Sequence, residues 1–145
     1  MDDMARSRRA LEIGFRFYLL TVVQRRMRAY SATQRDEVAA HRVASAFLGK
    51  LSGSYDVLQA IMFGSRARGD HRPDSDLDLA IVLNGQRGDF IDTKLDMAGI
   101  AFDVMLETGV LVQPFPMWDG DLAHPERFRN PTLIRKIAEE GIRLG

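Results

Sequence analysis

The feature that most constrains this chain is a loop between two apolar runs: residues 61–83 read IMFGSRARGDHRPDSDLDLAIVL. A glycine-serine pair, Gly64-Ser65, leaves the first run, and Asp76 and Asp78 open the second. Val57–Phe63 and Leu77–Leu83 are apolar, rich in strand formers and bounded by turn residues, which is the pattern of strands. Residues two apart on a strand share a face. Asp76 and Asp78 therefore point one way, while Leu77, Leu79 and Ile81 point to the core. Two carboxylates side by side at a strand end repel each other. A fold that keeps them there must supply a compensating positive charge.

A hard divalent cation is that compensation. Mg²⁺ takes oxygen ligands, keeps several waters, and is typically held by one or two carboxylates together with substrate phosphates. Gly64 lets backbone approach a ligand closely, and a short helical turn over Ser65–Arg68 would present N–H groups and the Ser65 hydroxyl to phosphate. Arg66, Arg68 and Arg72 make the loop locally basic, which suits a triphosphate. A third acid, Asp103, stands among apolar residues in IAFDVML, and a lone carboxylate buried there is costly without a cation. These residues together predict a triphosphate on the Gly-Ser turn and two metal ions on Asp76, Asp78 and Asp103. An acceptor hydroxyl would attack the α-phosphate in line and pyrophosphate would leave, with Asp103 helping to deprotonate the acceptor.

The rest of the chain reads as one small α/β domain behind a helical N-terminal extension, with the division near residue 32. In the extension Leu11, Phe15, Leu19, Val22 and Val23 recur at helical spacing, and Ile13, Phe17, Tyr18 and Leu20 widen the apolar face. That face suits either a partner or homodimer interface, or packing on its own domain. Arg25, Arg26 and Arg28 complement the helix dipole at its end. A second helix is expected from Ser31, with Gln34 completing a capping box, to a stop at Gly53. Beyond the two strands already named, Ile100–Leu106 reads as a third and Val110–Phe115 as a fourth. A short helix over Phe90–Ala98 ends at Gly99, and Asn130-Pro131 opens a last helix that runs to Gly141.

Composition closes off other classes. The chain has 145 residues, and its twenty basic residues balance twenty acidic ones, so no global field draws it to nucleic acid or membrane. It has no cysteine, which excludes disulfides, thiolate metal sites and cysteine nucleophiles. The longest apolar stretch near the N-terminus, Phe17–Val23, is far short of the roughly 20 residues that span a bilayer, and a cytoplasmic location is expected. Asp74-x-Asp76-x-Asp78 opens like a calcium loop, but Leu79 and Gly85 stand where that loop needs glycine and glutamate. His41, His71 and His124 read as surface residues, Trp118 as a packed anchor and Lys94 as a solvated lysine.

Gly64-Ser65, ten intervening residues, Asp76-x-Asp78 and a downstream aspartate resemble the DNA polymerase β-type nucleotidyltransferase superfamily. The fuller string GSRARGDHRPDSDLDLAIVL, with the tail HPERFRNPTLIRKIAEEGIRL, is similar to its minimal branch, the small MntA-like proteins paired with HEPN-domain toxins. The resemblance covers about residues 35–145. It implies a nucleotidyltransferase fold over residues 33–145: a small mixed sheet of about four strands with flanking helices. It further implies an ATP-using adenylyltransferase that needs Mg²⁺ (Mn²⁺ has the same ligand preferences) and modifies a tyrosine hydroxyl of a HEPN-type toxin. Gly64, Ser65, Arg66 and Arg68 would hold the nucleotide, and Asp76, Asp78 and Asp103 the metal. Two other functions stay open: an antitoxin that acts by occlusion without transfer, and a small-molecule transferase of the aminoglycoside-modifying type.

Overall fold

The computed structural model describes residues 2–144, with side chains described at 14, 16, 18–25 and 35–144. The elements in chain order are α1 (Asp2–Leu51), β1 (Val57–Phe63), α2 (Gly64–Arg68), β2 (Leu77–Leu83), α3 (Phe90–Thr108), β3 (Val112–Trp118), α4 (Pro131–Glu140) and β4 (Ile142–Leu144). Two single 3₁₀ turns, Asp121–Ala123 and Pro125–Arg127, lie between β3 and α4. Among the described residues no helix is long and apolar enough to cross a membrane.

The chain divides into two units, Met1–Ala39 and Ala40–Gly145. The first is the N-terminal part of α1, on which Tyr18, Leu19, Leu20 and Val23 are exposed. The side chains of Leu11, Ile13, Phe15, Phe17, Arg26, Arg28, Ser31 and Gln34, all used in the sequence reading, lie outside the described residues. The expected division of this region into two helices at Ser31 is overturned, because α1 is continuous through it. From Phe15 to Leu48 the sequence has no glycine or proline, and a serine's capping preference does not interrupt a helix without a breaker.

In the second unit the strands form one sheet in the order β3-β2-β1-β4. β1 runs antiparallel to both β2 and β4, and β2 runs parallel to β3. Alternation along β2 separates two cores. Leu77, Leu79, Ile81 and Leu83 join Ala40, Val43, Ala44, Phe47 and Leu51 of α1 and Met97, Ala101 and Val104 of α3 on one face. Ala80 and Val82 join Ile61, Met117, Ile134 and Ile137 on the other, beneath α4. The α4 start is as the sequence predicts: Asn130 Oδ1 accepts from the Leu133 N–H at 3.2 Å and Pro131 follows. At its end a Cβ on Gly141 would meet Ile137 O at 2.3 Å and Ile61 Cγ2 at 2.4 Å, so only glycine lets the chain turn there into β4.

The largest departure from expectation lies between β2 and β3. Ile100–Leu106 is not a strand; it is the second half of α3, which runs through Gly99. IAFDVML alternates well enough for a strand, but Met97, Ala101 and Val104 recur at helical spacing and all three are buried. Asp89 caps the start by accepting from the Asp92 N–H at 2.9 Å, and Gly109 closes the end in the left-handed region. The strand expected at Val110–Phe115 forms as β3, displaced to Val112–Trp118. At its far end Trp118 is buried, its backbone N–H donates to Asp121 Oδ2 at 2.9 Å, and Gly88 packs against its indole.

Candidate active site

The antiparallel register of β1 and β2 pairs Phe63 with Asp78, so the end of one strand meets the start of the next. Gly64 follows Phe63 with φ +73°, a conformation that a side chain disfavours. A Cβ at Gly64 would lie 2.3 Å from Asp78 Oδ2. The glycine is thus required twice, for its backbone conformation and for the space that the Asp78 carboxylate fills. This contact brings the Gly-Ser turn and the DxD acids to one point on the sheet rim.

Asp76 and Asp78 share the sheet face that carries α4, since the intervening Leu77 is in the opposite core. Asp78 is partly buried, and burial followed by the neighbouring Asp76 charge holds its carboxyl above the usual carboxylate range. The Arg68 guanidinium acts in the other direction. The acids are therefore an electrostatic liability in the bare protein, as expected of a pair built to meet a cation.

The loop that carries them is braced by its own arginines. Arg66 donates from Nε and Nη2 to the Ser75 carbonyl, at 3.1 and 2.8 Å, and the Arg72 N–H donates to Ser75 Oγ at 2.9 Å. Arg66 thus fixes the residue just before Asp76. Arg68 donates to Asp70 Oδ2 at 3.3 Å while its charge reaches Asp78. Ser65 is on α2, where its carbonyl accepts from the Gly69 N–H.

Asp103 does not join them. It is exposed on α3, whose buried stripe packs on the sheet face opposite that of Asp78. The strand position it was expected to fill belongs to Gln113, which the parallel register of β3 places next to Asp78. Gln113 Nε2 donates to Asp76 Oδ2 at 3.2 Å. Sequence reading missed this residue because it assigned the third strand one element too early. The signal available was its position directly after Val110–Val112, the three apolar residues that follow Gly109. Among the described residues no three His, Asp or Glu side chains converge as a metal site.

The residues present do fit one divalent ion. Two carboxylates on one face, with the more buried one destabilised as an anion, match a cation that also takes phosphate oxygens. Asp76 and Asp78 would hold it, and bound there it would draw charge from a phosphate.

A mixed four-stranded sheet with helices on both faces, and a glycine turn set against a DxD pair, define a nucleotidyltransferase-type domain. Comparison gives the family: residues 44–144 match the Nucleotidyltransferase domain, and the chain belongs to it. Among solved structures it is similar to that described as "a putative nucleotidyltransferase from Sulfolobus solfataricus", with a TM-score of 0.50 and 18% identity. The likeness covers 77% of this chain and 84% of that one, and shows the fold. No curated protein matches at a significant level.

Proposed function

We propose that this transferase moves AMP from ATP to a hydroxyl of a partner protein, a tyrosine of a HEPN-type toxin, and so serves as the antitoxin of the pair. The observation that carries the transfer reading is the close approach of Gly64 to Asp78, which sets the Gly-Ser turn against the acid pair. In the reaction the acceptor oxygen bonds to the α-phosphorus, the bond from that phosphorus to the β-phosphate oxygen breaks, and pyrophosphate leaves. The acceptor's proton passes to solvent. Arg68, whose charge already reaches Asp78, supplies positive potential beside the phosphates, and Arg66 keeps Asp76 in position through Ser75. The second unit, Ala40–Gly145, is largely spent on the sheet and its helices.

A second reading, in which nucleotide is bound but the partner is silenced by occlusion, follows if transfer needs a base at the position of Gln113, since an amide cannot take the acceptor's proton. Incubation with labelled ATP, GTP, CTP and UTP, Mg²⁺ and the product of the neighbouring gene should transfer label from ATP to that product, the expected HEPN-type toxin. Asp76→Asn with Asp78→Asn should abolish that label and the rescue of growth together. Rescue that survives the double substitution would replace transfer with occlusion.

A further inference from the structure

We propose that Gln113 stands in for a third carboxylate and restricts the site to a single protein-held divalent ion. This rests on the nucleotide-transfer reading and narrows it. β3 lies beside β2 in parallel register, with Gln113 opposite Asp78. Paired positions on adjacent strands project to the same face, about 4.8 Å apart. The side chain on β3 nearest both acids is thus an amide, not an acid, and it donates to Asp76 Oδ2 at 3.2 Å.

Charge accounting gives the consequence. Two carboxylates carry two negative charges, which one divalent cation neutralises. A carboxylate at 113 would add a third negative charge beside the two that Asp76 and Asp78 already bring to the rim. A third carboxylate would offer a second ion a protein ligand; an amide that donates to Asp76 offers it none. The amide also engages one of the two Asp76 oxygens with a neutral donor, so the acid pair keeps its form without a second ion. No other acid substitutes. Asp103 is on the opposite side of the sheet, Asp70 is engaged by Arg68, and no group of three acids converges among the described residues. Gln113 is exposed at the rim, so replacing it leaves both cores untouched.

The test counts ions. The protein is titrated with Mn²⁺ in the presence of an α,β-methylene ATP analogue, followed by electron paramagnetic resonance and calorimetry, and corrected for Mn²⁺ on the free analogue. One ion per chain is expected for the wild type, and two for Gln113→Asp or Gln113→Glu, each shown to be folded by a cooperative thermal transition. Two ions on the wild type would overturn the inference while leaving the transfer reading intact. So would one ion in both folded acidic variants. If the wild type binds neither Mn²⁺ nor analogue, the nucleotide reading itself fails and this inference with it.

Discussion

A methyl group at Gly64 would stand 2.3 Å from Asp78 Oδ2, on backbone at φ +73°. Left-handed backbone costs a residue with a Cβ about 1–2 kcal/mol, and the carboxylate must also move aside. Gly64→Ala should therefore lower the thermal midpoint by a few degrees and abolish Mn²⁺ binding in calorimetry. Gly69 is the internal comparison: its φ is +78° but nothing lies within 4 Å of its Cβ position. Gly69→Ala should show the backbone cost and keep the ion. A second residue-scale outcome concerns Tyr55, whose hydroxyl donates to Asp96 Oδ2. Burial first, and then that bond, push the phenol up from 10 to about 12. The folded value lies above the ordinary one, so the contribution to stability is complete below pH 10 and is lost as pH rises through about 12. In an ultraviolet titration the phase near pH 12 should vanish in Tyr55→Phe, and stability should fall less steeply between those limits.

Helix α3 is apolar on two sides, and this is why its second half resists reading from sequence. Met97, Ala101 and Val104 are buried against the sheet, while Ile91, Leu95, Phe102 and Leu106 are exposed. With apolar residues on both faces, the helical period is blurred and IAFDVML reads equally well as alternation. Gly99 then looks like a stop, yet it is an ordinary helical residue with open space around it. Gly99→Ala should stabilise the protein by about 0.5–1 kcal/mol in urea unfolding, the usual difference between these residues in a helix interior. A loss of stability would show that the backbone at 99 is doing something a straight helix does not require. β1, β2 and α4 were legible to the residue or nearly so, because each carries an unambiguous period between strong turn or cap signals. β4 was not, since three residues carry no period at all.

For the molecule as a whole, the rim where β1 ends and β2 begins was visible in the sequence, because a single loop supplies Gly64, Asp76 and Asp78. The third side chain on that rim was hidden, because it depends on which later segment lies parallel to β2. Register between distant strands is a tertiary fact, and one misassigned helix shifted the assignment from Gln113 to Asp103. The strand that delivers Gln113 to one end of the sheet delivers Trp118 to the other, five residues or about 17 Å away. Trp118 is the chain's sole tryptophan and is 5% exposed. Nature has thereby placed a fluorophore where it senses the integrity of the interior and is deaf to events at the far rim. Its emission should be blue-shifted in the native state, move to the red on denaturation, and stay unchanged when ATP analogue and Mg²⁺ are added. Any spectral response to those additions would reveal that the strand transmits occupancy along its length.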